Sequence, residues 1–216
     1  MKELLLVAGH GQGDPGAGGN GYDEADLTRE VVALMTPFLD KYGIDYDVYP
    51  IAKNMYKNSD AKNYIDYREI IEIHFNSTTA SSTGIGTEIL IHQDYINIPD
   101  ALDKALLASL ATYWKNRGFK GRNNLANMNT YRKLKKSYRL LEVCFISDSK
   151  DMQIYQANKK QLAEKMSIDI AKKFNKYNET TPPVTPPIDP PVDPVPTVKT
   201  VYLVQDNKTI GELKYY

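Results

Sequence analysis

Apolar positions along this chain follow two rhythms. Short apolar runs bounded by turn residues alternate with stretches in which apolar side chains recur every three or four positions. The runs predict strands near residues 3 to 9, 44 to 50, 69 to 75, 86 to 92 and 138 to 146. Helical spacing falls over 24 to 42, 100 to 117 and 150 to 177. In the first of these, Leu27, Val31, Leu34 and Met35 share a face and Gly43 supplies the stop. The second opens at Asp100, just after Pro99, and is expected to end at Gly118. In the third, Ile154, Ala157, Leu162, Met166, Ile170 and Phe174 trace a stripe suited to covering a sheet. Residues 54 to 67 fit neither rhythm and are expected to form a loop and a short helix beside a cleft. Alternation of strands and helices predicts a single three-layer α/β domain over residues 1 to 177. Its mostly parallel, twisted sheet is flanked by helices and joined by right-handed crossovers.

Three strands end on chemistry. The run Leu4-Leu5-Leu6-Val7-Ala8 stops at Gly9-His10, and six glycines follow between positions 11 and 21. Pro15 excludes a helix there, so a loop with little side-chain bulk delivers Glu24 to the first turn of the first helix. The run Ile70-Ile71-Glu72-Ile73 closes on His74, with Asn76 and Ser77 beyond it. In Leu140-Leu141-Glu142-Val143 a carboxylate interrupts an apolar strand, where an unpartnered charge is costly to bury. Open α/β sheets bind ligands outside the carboxyl ends of their strands. Two histidines and a glutamate leave one position of a tetrahedral zinc site for water, the pattern of a catalytic zinc, with Glu142 available as a base. Taken singly, each has a plainer reading: strand-end histidines are usually turn residues, and Glu24 alone is a helix-start carboxylate. His92 closes a strand as His10 and His74 do and is expected to be structural or to face substrate. Glu88, in the same strand, is expected to find a cross-strand partner.

In order and spacing these segments resemble the zinc-dependent N-acetylmuramoyl-L-alanine amidases of the type 3 family, which cleave bacterial peptidoglycan. The likeness is carried by Gly9-His10-Gly11, Asp14-Pro15-Gly16-Ala17, Glu24, Glu72-Ile73-His74-Phe75-Asn76 and Leu141-Glu142-Val143-Cys144-Phe145-Ile146-Ser147-Asp148. It covers residues 1 to 177. Two positions depart from the family pattern: Glu72 stands where a small residue is usual, and Asp148 where asparagine is. The resemblance implies that His10, Glu24 and His74 hold Zn²⁺ and that Glu142 is the general acid–base. Asn76 is a candidate substrate-binding residue. The bond cut joins N-acetylmuramic acid to the L-alanine of the stem peptide. A catalytically silent wall-binding protein, or a zinc peptidase cutting within the stem peptide, are the alternatives the same residues allow.

Composition sets the frame around this. With 216 residues, 42% hydrophobic and 25% charged, the chain can bury one full core and carry an appendage. Net charge is zero, which removes any global argument for nucleic-acid binding. Locally the charge is uneven: nine basic and no acidic residues lie between Lys115 and Arg139, in a segment expected to be largely loop. A solvated surface is one reading and attraction to anionic wall polymers the other. The single Cys144, inside an apolar strand, excludes an internal disulfide and suits a buried thiol in a reducing cytosol. No run reaches the roughly 18 to 20 apolar residues that span a bilayer, and none reads as a signal peptide. Joined to the resemblance, this suggests a phage endolysin made in the host cytoplasm. It is expected to act at a Gram-positive wall without entering the membrane. Eight of the twelve prolines lie between Pro182 and Pro196, so residues 178 to 197 are expected to be an extended linker. Residues 198 to 216 read as two short strands around a polar turn, the expected stub of a wall-binding module.

Overall fold

A computed structural model describes residues 1–11, 13–79 and 85–178 in full, with the backbone of 199–205 and 208–215. Strand β1 (Lys2–Ala8) has five successive buried residues, because both faces of the sheet are covered there. The glycine loop beyond it holds a small hairpin of β2 (Gly18–Gly19) and β3 (Tyr22–Asp23). Helix α1 (Glu24–Lys41) ends as expected before Gly43, at φ +64°, with the Ile44 N–H donating to the Leu39 carbonyl. Then come β4 (Tyr46–Val48), a 3-10 turn at Asp60–Asn63, β5 (Tyr67–Asn76), β6 (Thr87–His92) and α2 (Ala101–Leu110). Strand β7 (Asn116–Arg122), α3 (Ala126–Lys133), β8 (Ser137–Phe145) and α4 (Ser149–Lys173) complete the domain.

Six strands form one sheet in the order β4-β1-β5-β8-β6-β7. Four of its five pairings are parallel and one, β6 with β8, is antiparallel, so the sheet is mixed. The reason is chain length. Only residues 77 to 86 separate β5 from β6, fewer than the dozen or so a parallel crossover takes, so the chain turns back at the same end of the sheet.

Helices α1, α2 and α4 cover one face, packing Val31, Met35, Leu106, Tyr155, Met166 and Ile170 over Leu6, Ile71, Ile73, Ile89, Leu141 and Val143. In α4 the buried stripe takes in Met152, Tyr155, Leu162, Ala163, Met166, Ile170 and Phe174, while Ala157 faces solvent. The opposite face is covered more thinly. There Tyr49, Met55, Ala61 and Tyr131 pack over Leu5, Val7 and Ile70, and Met128 over Leu90 and Leu140. This asymmetry leaves a groove beside the strand ends.

Two elements depart from the sequence pattern. The second helix stops at Leu110, not 117, and the chain instead adds β7 at the sheet edge. Gly118, at φ +81°, lies inside that strand where its pairing with β6 shifts register, so it is no helix stop. Strand β7 carries one large apolar side chain, Phe119, too little for a strand rhythm. Helix α3, eight residues and mostly polar, lies where loop was expected.

The chain divides into two compact units, Met1–Thr180 and Thr181–Tyr216. In the second, β9 (Lys199–Gln205) and β10 (Lys208–Tyr215) pair antiparallel, the two short strands expected of the tail. The expected Pro-rich linker lies outside the described residues.

At the amino end of β8 a buried ion cluster fixes the start of α2. Arg139, 1% exposed, meets Asp103 at 2.6 Å, Glu69 at 2.8 Å and Asp100 at 3.2 Å. Burial opposes its charge, but these three carboxylates outweigh that and hold its pKa up. Replacing it, Arg139→Leu, takes the guanidinium from two buried carboxylates, Asp103 and Glu69, leaving Glu69 only Lys173 at 3.1 Å. Urea unfolding is expected to show a loss of about 3–5 kcal/mol; an unchanged midpoint would show that the acids find other partners.

Candidate functional site

Strands β1, β5 and β8 are consecutive parallel neighbours, so their carboxyl ends lie side by side. His74 is paired with Glu142 across β5 and β8, and Glu142 with Glu88 across β8 and β6. Their side chains therefore leave one face of the sheet in a row. His10 follows β1 at φ +61°, a left-handed conformation that histidine tolerates better than most residues. Arg29 of α1 pins it there, donating to the carbonyls of Gly9 (3.0 Å), His10 (3.1 Å) and Ile51 (2.9 Å). The loop then doubles back, so that the Ala17 carbonyl accepts from the Glu24 N–H and that of Pro15 from Ala25.

Glu24 lies between the two histidines. Its Oε2 is 3.1 Å from His10 Nε2 and its Oε1 2.9 Å from His74 Nδ1. Each oxygen also accepts a backbone N–H, Oε2 from Ala17 at 2.9 Å and Oε1 from Phe75 at 3.0 Å. The imidazole rings meet edge to face, with centroids 4.8 Å apart. Behind each ring stands a further carboxylate: Asp14 Oδ2 is 3.2 Å from His10 Nδ1, and Glu72 Oε1 is 3.1 Å from His74 Nε2. Asn54 and the Gly16 N–H hold Asp14 in place. One ligand atom from each of His10, Glu24 and His74 lies within 4.8 Å of the others, and this donor set can hold a divalent cation.

Electrostatics agree with that reading. Burial pushes the Glu24 carboxyl up, but hydrogen bonds with His10 and His74 outweigh it and hold the group well below the usual carboxylate range. Burial pushes His74 down, and Glu24 and Glu72 more than reverse this. The cluster thus draws positive charge to the space where a cation fits. Glu142 is the opposite case. Its Oε2 is buried with no hydrogen-bond partner among the described residues. Burial, only partly offset by His74, pushes its pKa up to about 7.

Glycine matters at two points of the loop because of closeness. A Cβ on Gly9 would lie 2.4 Å from His74 Nε2. Gly16, at φ +70°, has room for none, since a Cβ would come within 2.7 Å of the His10 ring and 2.8 Å of Glu24 Oε2. From His10 and His74 a groove of about 280 Å³ runs past Asp14, Asn54, Tyr56 and Asn127.

The remaining candidates sort themselves by strand direction. His92 belongs to an antiparallel strand, so its end lies at the opposite edge of the sheet, in a separate cavity of about 290 Å³ with Tyr95, Arg132 and Tyr138. Its Nδ1 accepts the Asp94 N–H and caps a 3-10 turn, a structural role. Glu88 has the cross-strand partner expected of it, Arg117 Nε at 2.8 Å, and also accepts from Asn76 Nδ2 at 3.0 Å. Asn76 has its amide engaged at both ends, since its oxygen accepts the Ser77 N–H. Cys144 is a buried free thiol. The basic run does not act as one patch: Arg139 is buried, Arg117 pairs with Glu88 and Arg132 with Asp94, while Lys115, Arg122, Lys133 and Lys135 are exposed. Arg29, Asn54, Asn127 and Tyr138 carry no sequence signal, because each gains its role from a distant segment.

The family profile of N-acetylmuramoyl-L-alanine amidases matches residues 4–173, and the chain belongs to that family. Probable autolysin PH of Staphylococcus aureus (strain NCTC 8325 / PS 47) is 30% identical over 179 residues, covering 73% of this chain and 36% of that protein. The chain thus spans about a third of that relative's length. In fold it is similar to the catalytic domain of the CD27L endolysin targeting Clostridia Difficile, with a TM-score of 0.65 and 19% identity over 80% of this chain and 98% of that one. It is also similar to the N-acetylmuramoyl-L-alanine amidase AmiC2 of Nostoc punctiforme, with a TM-score of 0.65 and 20% identity over 81% and 98% of the two chains.

Gly16→Ala adds both strain and a clash against two of the three ligands. Titration with divalent metal is expected to show binding weakened about tenfold or more, with circular dichroism unchanged. Undiminished binding would mean that the loop yields.

Proposed function

We propose that this chain is a zinc amidase of bacterial peptidoglycan that hydrolyses the amide between N-acetylmuramic acid and the L-alanine of the stem peptide. One observation carries the reading: a buried carboxylate oxygen of Glu142, without a hydrogen-bond donor, stands in line with His74 beside the His10–Glu24–His74 cluster. His10, Glu24 and His74 would hold the ion. Two imidazoles and one carboxylate favour zinc over magnesium or calcium, which prefer oxygen alone. Bound there, zinc supplies a Lewis acid for the amide carbonyl and a lowered pKa for the attacking water. Glu142 takes the proton of that water and returns it to the leaving amine of L-alanine. A carboxyl pushed up to about 7 suits both transfers. Substrate lies in the groove bordered by Asn54, Tyr56 and Asn127. Asn76, at the end of β5 beside Glu88, is assigned to substrate binding.

Assembly of all four residues at one place argues against the silent wall-binding alternative. The peptidase alternative differs in its products. We assign the activity to lysis of a Gram-positive host at the end of a phage cycle, with the enzyme made in the host cytoplasm. Lys133, Lys135 and Lys136 are assigned to attraction toward anionic wall polymers.

Purified Gram-positive walls incubated with the protein are expected to gain N-terminal alanine, to stop gaining it on chelation and to resume with added zinc. New termini other than alanine would establish a peptidase, and wall binding without release a silent binder. Glu142→Gln is expected to retain bound zinc while losing about 10²- to 10⁴-fold in rate. A variant with zinc and full activity would remove Glu142 from the chemistry. Neutralising Lys133, Lys135 and Lys136 together is expected to slow lysis most at low ionic strength. A rate equally reduced at every salt concentration would count against the wall-polymer assignment.

A further inference from the structure

We propose that Glu72, buried behind His74, is a positioning residue that fixes which nitrogen of His74 is offered to the metal and strengthens that ligand. The proposal rests on the zinc reading above and adds to it a determinant of metal affinity.

Glu72 precedes His74 by two positions on β5, so both side chains leave the same face of the sheet. It is 5% exposed. Burying a carboxylate there is costly unless its oxygens are engaged, and they are. Oε2 accepts the Tyr138 hydroxyl at 2.6 Å and Asn127 Nδ2 at 3.1 Å. Oε1 faces His74 Nε2 at 3.1 Å. Two donors, one on β8 and one on α3, thus anchor the carboxylate, and its remaining oxygen is a fixed acceptor behind the imidazole.

The consequence follows from histidine chemistry. A neutral imidazole carries its proton on one nitrogen only. An acceptor behind Nε2 holds the proton there and leaves the lone pair on Nδ1, the nitrogen that faces Glu24 Oε1 at 2.9 Å. The same hydrogen bond makes the ring a better donor to a cation. Glu72 is not itself a ligand in this arrangement, because it stands behind the ring, at the nitrogen turned away from Glu24. Asp14 has the matching place behind His10 but comes from a segment that follows the family pattern. At position 72 a small side chain could form no such contact with His74.

The test is zinc affinity, measured on the full chain by competition with a chromophoric chelator. Glu72→Gln keeps the shape of the side chain and removes the charged acceptor. Its dissociation constant for zinc is expected to rise about 10- to 100-fold. Tyr138→Phe, which loosens the anchor and leaves Glu72 and His74 in place, is expected to weaken binding by a smaller factor. That factor should vanish when Glu72→Gln is already present. Nitrogen NMR of the zinc-loaded chain is expected to find His74 protonated at Nε2. Equal affinity in the unsubstituted chain and both variants would overturn the role of Glu72 and leave the zinc reading standing. A chain that binds no zinc at all would overturn both. Should Glu72→Gln fail to fold, Tyr138→Phe and the NMR assignment decide the matter alone.

Discussion

The geometry of this protein's site turns on one carboxylate. Glu24 has four neighbours in hydrogen-bonding range, two imidazole nitrogens and two backbone N–H groups, and they come from two separate stretches of chain. Phe75 and His74 belong to β5, His10 and Ala17 to the loop after β1, and Glu24 itself opens α1. The two backbone N–H groups hold this buried carboxylate, and a cation shared with the imidazoles would complete its surroundings, so Glu24 ties the loop and the strand end into one register. The constraints around it follow. Gly9 and Gly16 can carry no side chain, His10 adopts a left-handed backbone, and Arg29 is drawn to the loop carbonyls to keep it there. Strain in the loop and order in the ligands are two sides of the same arrangement.

Sheet order then decides what joins the ligands. Three parallel strands lie in succession, and the antiparallel β6 adds its beginning, not its end, to the same edge. Glu88 therefore comes to the site and His92 is carried away from it. The thin covering of that face leaves His10, Glu72 and His74 open to the groove, whereas the opposite face, sealed by three helices, holds the larger part of the core. One face carries stability and the other chemistry.

Much of this was legible in the sequence. Runs such as Leu4 to Ala8 and Ile70 to Ile73 are too apolar to be anything but buried strands, and a polar residue at the end of such a run has few places to go. His10, His74 and Glu142 could be singled out on that ground, and Glu24 as the carboxylate that the glycine loop delivers to the first helical turn. Strand direction could not be read in the same way. His92 ends its run just as His74 does, and only the short connection between β5 and β6 distinguishes them. Strand β7 and helix α3 escaped for a related reason: each is a peripheral element, held by neighbours more than by its own pattern, with Phe119 or Tyr131 as its main apolar anchor. The partners of Glu72 were invisible because a hydrogen bond between β5, β8 and α3 leaves no periodic trace. The substitution of glutamate for a small residue was visible, but not what it touches.

Three glutamates share the open face, Glu72 and Glu88 buried and Glu142 half-buried, and their different surroundings assign them different work. Glu72 is saturated by Tyr138, Asn127 and His74, and Glu88 by Arg117 and Asn76. The partners of Glu72 favour its charged form, and those of Glu88 hold its carboxylate in place. Glu142 stands between them in the same sheet, yet one of its oxygens has no donor, and burial lifts its pKa to about 7. Carboxyls pushed apart in this way divide into groups that hold and a group that transfers. Adding a hydrogen-bond donor to Glu142 would stabilise its charge and lower its basicity. The missing partner is therefore better understood as a requirement of the chemistry than as a defect of packing.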